Sequence, residues 1–287
     1  MRRFASGLAA ILLLAGCRGE HPIRIGSKNF TEQVILGEMA AQALEAEGVR
    51  VDRKLDLGGT FVCHRALLAG ELDLYPEYTG TAFTAILSRK PISDPARVRE
   101  DVAREYERRF GLVWTAPLGF ENTFALVMRS AQAKELGITK ISDLARDGDR
   151  LRPGFGYEFL ERADGFPGLA AAYGLSFAAR PLEMDLGLLY AALAQEKVDV
   201  VAGNSTDGLI AALHLTVLDD DRRYFPPYEA AFVVRSAAWK NAAVQRALGR
   251  LSGAITADAM RAMNASVDRD KRRPADVARE FLAARSR

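Results

Sequence analysis

The chain has 287 residues, 49% hydrophobic and 26% charged, a globular composition that excludes a disordered chain or a coiled coil and leaves room for two domains. Lys and Arg number 39 against 37 Asp and Glu, and Arg2 and Arg3 in the leader make up the excess. The remaining body is neutral, which argues against nucleic acid as a partner.

In chain order, MRRFASGLAAILLLAGC sets two arginines before an apolar run too short for a resident transmembrane helix, the pattern of a secretory signal. Its end, Leu14-Ala15-Gly16-Cys17, resembles the lipobox of bacterial lipoproteins. That resemblance implies a signal peptide over 1–16, a lipid on Cys17, a spacer over 17–22, and a body anchored to a membrane, not spanning it, on the periplasmic or extracytoplasmic side. With Cys17 lipidated, Cys63 stands alone, so no intramolecular disulfide forms; set in TFVCHRALLAG, it reads as a buried, inert thiol.

After the spacer, IRIG is an expected strand and SKNFTEQVILGEMAAQALEAEG an expected helix. Asn29 and Glu32 make a start like a capping box, Ile35, Met39 and Ala43 form an apolar stripe, and Gly48 is the stop. VDRKLDLGG is then a strand and turn, TFVCHRALLAG a helix, and LDLYPEY a strand ending in two tyrosines. This alternation predicts an α/β architecture with largely parallel sheets, whose ligands sit beyond the carboxyl ends of the strands, where Ser27-Lys28 and Tyr75 to Thr81 fall.

Residues 66–81, ALLAGELDLYPEYTGT, align without gaps on 192–207, ALAQEKVDVVAGNSTD, and share an apolar-Asp-apolar triplet. The match pairs Tyr78 with Asn204 and predicts two similar lobes that each present a strand-end loop to one cleft. PLGFEN (117–122) and RRYFPPY (222–228) carry the Gly and Pro of chain crossings, and the charged stretch 147–152 is a surface turn. Lobe 1 is then 23–118 plus 226–287 and lobe 2 is 119–225, with the C-terminal helices packing back on lobe 1.

Catalysis finds little support. The three histidines, His21, His64 and His214, have no partners at metal-ligand spacing, and neither a phosphate loop nor a nucleophile elbow is present, so no metal, cofactor or enzyme activity is expected. What stands out is a set of rings and an amide at strand ends and crossings: Tyr75, Tyr78, Phe124, Tyr157, Tyr190, Asn204 and Tyr228. Rings without a nucleophile suit a cation that cannot donate hydrogen bonds, at roughly 0.5 to 2 kcal/mol per ring. Tyr190, on the helical pattern DLGLLYAALAQ, is more simply a core residue.

Taken in order, IRIGSKNFTEQVILGEM, LGGTFVCHRALLAGELDLYPEYTGTA, GFENTFAL, DLGLLYAAL, NSTDG, FPPYEA and MNASVD resemble the substrate-binding proteins of osmoprotectant ABC importers, which take quaternary amines such as glycine betaine, choline and carnitine. The resemblance implies a two-lobed periplasmic-binding-protein fold of type II-like architecture that closes over its ligand as a monomer and delivers it to an ABC permease with its ATPase. It also implies an aromatic cage at Tyr78, Phe124, Asn204 and Tyr228, with polar groups at Lys28 and Thr81 taking a carboxylate. Phe124 and Asn204 depart from the tyrosines of the family cage, and Lys28 replaces a glutamine. Lys28 brings an added positive charge near a helix start, which favours an acid-bearing ligand over choline. Asn204 removes a ring and adds hydrogen-bonding capacity, which favours a ligand with a polar group, such as ergothioneine or an amino-acid-like solute. A reading from another class is a sensor domain whose closed form docks on a separate receptor.

Overall fold

The computed structural model describes residues 21–285, so the expectations for the leader and for Cys17 lie outside the described residues. Ten strands form two five-stranded sheets among these residues: β1 Ile23–Gly26, β2 Val51–Lys54, β3 Leu74–Tyr78, β4 Leu112–Trp114, β5 Phe124–Arg129, β6 Pro153–Phe155, β7 Leu182–Glu183, β8 Val200–Asn204, β9 Leu215–Val217 and β10 Ala230–Arg235. The first sheet has the order β2-β1-β3-β10-β4 and the second β7-β6-β8-β5-β9. The second sheet thus repeats the first position by position, with the matched segments of the sequence on the two central strands, β3 and β8.

The sheets are mixed, where the alternation of strand and helix predicts largely parallel ones. β1 runs parallel to β2 and β3, but β10 is antiparallel to β3 and β4; likewise β5 is antiparallel to β8 and β9. The reason is connectivity. A helical crossover obliges parallel neighbours, whereas β5 and β10 enter their sheets from the crossings between lobes. Those crossings lie side by side: Glu121 bridges Glu229, the Asn122 N–H donates to the Tyr228 carbonyl (3.1 Å), and the Leu118 N–H to that of Ala230 (2.8 Å).

Each sheet is packed on both faces. In the first lobe, Ile35, Leu36, Met39 and Leu44 of the helix Thr31–Ala46 share a core with Phe232 of β10 and with Val244, Met260 and Val277 of the C-terminal helices Ala242–Gly249, Ala257–Asp268 and Pro274–Arg285. The opposite face buries Cys63, Leu72, Tyr75, Val98 and Tyr106. The Cys63 thiol is pushed up to about 12 by burial, consistent with an inert group. The long helix Pro95–Phe110 has clear local causes: Asp94 accepts from the Ala96 and Arg97 N–H groups, Pro95 opens the first turn, and Gly111, at φ 63°, ends it.

Two local readings change. The helix Thr31–Ala46 starts with Phe30 at its N-cap and no side-chain cap, so Asn29 and Glu32 do not form a capping box; Glu32 turns into the protein instead. Tyr75 is no part of a cleft wall. β3 continues through Pro76, and its alternation sends Tyr75 into the core while Tyr78 faces the other way. Pro76 is tolerated because its register partner Phe232 bonds to Thr115 on the far side, leaving no bond for a Pro76 N–H to make to β10.

Candidate functional site

Between the sheets lies a cavity of about 530 Å³, and Lys28, Tyr78, Thr81, Phe124, Asn204 and Tyr228 all line it. Their convergence follows from topology. Lys28 follows β1, Tyr78 and Thr81 end β3, Asn204 ends β8, Phe124 opens β5 directly opposite Asn204, and Tyr228 precedes β10. Gly80 permits the close approach of Tyr228 to this wall, since a Cβ there would stand 2.7 Å from the tyrosine ring and from the Pro227 carbonyl.

Two buried cations of the site, Lys28 and Arg162, are paired with carboxylates, while the cavity-lining Arg65 donates to the Phe61 carbonyl (3.2 Å). Lys28 is 3% exposed and its Nζ donates to Glu77 Oε1 at 2.5 Å, on a glutamate that is fully buried. Glu77 also accepts from the Tyr78 N–H (2.8 Å) and the Tyr75 hydroxyl (3.2 Å). The expected added charge at Lys28 is therefore largely neutralised by its own lobe, and Lys28 lines the cavity as one member of an ion pair. The second buried cation is Arg162, a cavity residue that no sequence motif marked. It grips Asp164 in a two-pronged pair at 2.9 and 2.5 Å, and its Nη2 donates to Thr81 Oγ1 at 3.3 Å. Burial alone would raise the Asp164 carboxyl, but the Arg162 guanidinium together with the Thr84 and Tyr228 hydroxyls outweighs burial and holds it below the ordinary carboxylate range.

The rings are held by their hydroxyls or by one another. Tyr228 donates to Asp164 Oδ2 (2.7 Å) and Tyr78 to Glu32 Oε1 (2.6 Å). Burial keeps both phenols neutral by moving their pKa values well above the usual range. Phe124 meets Tyr228 edge-on at 6.0 Å, and the Arg162 guanidinium lies 5.1 Å from the Phe124 ring centre. That ring thus already has a protein cation near it. Asn204 is fixed from below: its N–H donates to Asp207 Oδ2 (2.8 Å), which also takes the Tyr190 hydroxyl (2.7 Å). Tyr190 is buried and supports the wall without lining it. Tyr157 is 61% exposed at the cavity edge.

The lobes touch across this cavity. Glu158, on the short helix Tyr157–Glu161, accepts from the Thr60 N–H (2.5 Å) and hydroxyl (3.0 Å) at the start of the helix Thr60–Ala69, and Thr84 donates to Asp164 Oδ2 (2.7 Å). Asp164 therefore joins Arg162, Thr84 and Tyr228, which come from both lobes and a crossing. Among the described residues no cluster of His, Cys, Asp and Glu fits a metal ion, and no helix is long and apolar enough to cross a membrane.

Comparison with known proteins places this geometry. Residues 21–284 match the family described as the substrate binding domain of the ABC-type glycine betaine transport system. The chain belongs to this family. Its members are substrate-binding components of transporters and not enzymes, and the role is extracytoplasmic. The chain is 36% identical over 286 residues to a glycine-betaine-binding protein of Pseudomonas aeruginosa, covering 94% of this chain and 90% of the relative. It is 35% identical to the ergothioneine transport permease/ergothioneine binding protein EgtU of Helicobacter pylori, with 92% of this chain matched but only 47% of that longer protein. A crystal structure described as a glycine betaine/carnitine/choline ABC transporter superposes with a TM-score of 0.74 at 31% identity, over 91% of this chain and 98% of that one. The fold is the two-lobed periplasmic-binding-protein architecture.

Arg162 and Glu158 were hidden because EFLERADG carries the charge density of a surface helix. The local cue that existed was Arg162 two residues before Asp164 and directly after a short aromatic helix, a pairing that only folding makes buried.

Proposed function

We propose that the chain is the solute-binding component of an ABC importer for a glycine betaine-like zwitterion, and that Lys28, Tyr78, Thr81, Phe124, Asn204, Tyr228 and Arg162 contact it. The observation that carries this reading is the pairing of opposite chemistries in one cavity. Tyr78, Phe124 and Tyr228 offer ring surface to a methylated ammonium, while Lys28, Arg162 and Thr81 offer donors to a carboxylate. Choline, which has no acid group, leaves those donors unmatched. The lobes 23–118 plus 226–287 and 119–225 are the bodies that separate to admit the ligand, the protein acts as a monomer beside its permease and ATPase, and Cys17 carries the lipid.

A second reading rests on Asn204. An amide held by Asp207 stands where a fourth ring would close the cage, and it suits a ligand with its own hydrogen-bonding group, as in the betaine-bearing heterocycle ergothioneine. Calorimetric titration of residues 18–287 with glycine betaine, carnitine, choline and ergothioneine tests both. Binding of an acid-bearing quaternary amine, with choline at least tenfold weaker, is expected. Absence of heat and of thermal shift with all four overturns the proposal, and ergothioneine binding at least tenfold tighter than glycine betaine selects the second reading. Mass spectrometry of membrane-extracted protein, showing acyl chains on Cys17 or a free thiol there, decides the anchor.

A further inference from the structure

Glu32 does not line the cavity, yet it is 2% exposed and its carboxylate accepts four hydrogen bonds from four parts of the chain. Oε1 takes the Tyr78 hydroxyl (2.6 Å) and Asn122 Nδ2 (2.9 Å); Oε2 takes the Thr206 hydroxyl (2.5 Å) and Asn264 Nδ2 (3.1 Å). A carboxylate has about four lone-pair sites, so this one is saturated, and all four donors are neutral. The donors come from the end of β3, the first crossing, the loop after Asn204 and the helix Ala257–Asp268. Two of them, Tyr78 and Asn122, line the cavity, and Thr206 sits two residues beyond Asn204.

The asparagines show how strongly this acceptor organises its surroundings. Both Asn122 and Asn264 turn their amide NH₂ to Glu32, while their buried Oδ1 atoms find no partner among the described residues. A buried acceptor without a partner is unfavourable, so the Asn122 amide faces Glu32 because an acceptor-only group can take every donor aimed at it, while Asn264 shares its NH₂ between Glu32 and the Thr206 carbonyl (2.9 Å).

We propose that Glu32 is a positioning residue for the ligand cage: it fixes the Tyr78 ring through its hydroxyl and holds the Asn204 loop of the second lobe against the same point through Thr206. The inference deepens the betaine-binding reading and rests on it for its affinity test. Glutamine at this position keeps the size but leaves one acceptor end and one NH₂ end. Asn264 Nδ2 is also held by the Thr206 carbonyl (2.9 Å), so Asn122 is the amide that turns round, the new NH₂ faces Asn122 and Tyr78, and Tyr78 loses its acceptor while its ring remains.

Glycine betaine is titrated into wild type, Glu32→Gln, Tyr78→Phe and the double variant. Each single change is expected to weaken binding about tenfold, and the double no further than about tenfold, because both cut the same tether. Binding within about twofold of wild type in Glu32→Gln, or a double variant weakened about a hundredfold, overturns the proposal. Tyr78→Phe removes one hydroxyl and keeps the cycle interpretable from that side if Glu32→Gln folds poorly; an unweakened Tyr78→Phe overturns the proposal by itself. Amide hydrogen exchange of unliganded protein gives a readout that needs no ligand. In Glu32→Gln, exchange over 119–124 and 203–208 is expected to accelerate about tenfold while 60–69 stays unchanged; uniform acceleration or none overturns the proposal. If wild type binds no betaine, the functional reading fails and the exchange result still decides the role of Glu32.

Discussion

The two lobes are built alike below the cavity and differ above it. In the first, Asp73 accepts from the Arg24 N–H (2.9 Å) and from its Nε (2.9 Å), with Arg235 at 3.5 Å. In the second, Asp199 accepts from the Arg152 N–H (2.9 Å) and from its Nε (2.8 Å), with Arg129 at 2.7 Å. Asp73 and Asp199 are the matched aspartates of the internal repeat, and each locks its central strand to the neighbours on both sides. Five residues later the equivalence ends: the first strand closes on Tyr78 and the second on Asn204. The repeat thus preserves the scaffold and varies the wall: the strand clamps are the same in both lobes, and the residues that end the two central strands in the cavity differ.

The largest effect should come from the cation of the second lobe. Arg162→Ala should weaken glycine betaine binding about a hundredfold by calorimetry, and should cost roughly 3 kcal/mol in denaturant unfolding because Asp164 stays buried without its partner. Lost affinity with unchanged stability would separate ligand contact from scaffold. The clamps come next. Asp199→Ala should cost about 3 kcal/mol and Asp73→Ala about 2, because Asp199 is more deeply buried, with 4% against 12% side-chain exposure, and Arg129 is more buried than Arg24 or Arg235. Equal costs would mean that the two clamps matter alike despite their different burial.

A pH experiment sharpens the contrast within the second lobe. Burial raises the Asp199 carboxyl, but its bonds from Arg152, Gln132 and Arg129 outweigh burial and depress it. Asp199 therefore contributes stability that is present above the ordinary carboxylate range and is lost as pH falls below it. Asp207 is the opposite case: burial outweighs its bonds from Tyr190 and the Asn204 N–H, raising it from 3.8 to about 6. Its contribution is full below 3.8 and is lost as pH rises through about 6. Thermal melts between pH 4 and 7 should show Asp207→Asn removing on the order of 2 kcal/mol of that loss, with Asp199→Asn leaving this window unchanged. The smallest effect is at the varied wall. Asn204→Tyr should tighten glycine betaine about fivefold by adding a ring, and an unchanged or weaker affinity would show that Asn204 is not in the cage.

Much of the cavity was legible because ligand residues in such folds stand at strand ends, and strand ends show in sequence as breaks in alternation. Tyr78, Thr81 and Asn204 are found that way, and Phe124 and Tyr228 beside the crossings. Where a strand ends is not fixed by its residues alone, however. Tyr75 and Tyr78 look alike in LDLYPEY, and only the run of β3 through Pro76 sends one to the core and the other to the cavity. Glu32 looked like a cap because its spacing from Asn29 is right, but spacing does not show four donors arriving from elsewhere in the chain.

By itself, the sequence determined the alternation of strands and helices, the repeat that makes two similar lobes, and the ring-bearing strand ends, since these follow from local periodicity and turn chemistry. Only the tertiary structure decided which charges face which. Lys28 is met by Glu77, Arg162 by Asp164, Arg152 of a charged turn by Asp199, and Glu32 by groups up to 232 residues away. A charge is stable in the interior only with a partner of suitable geometry, and that partner is supplied by folding rather than by neighbours in the chain.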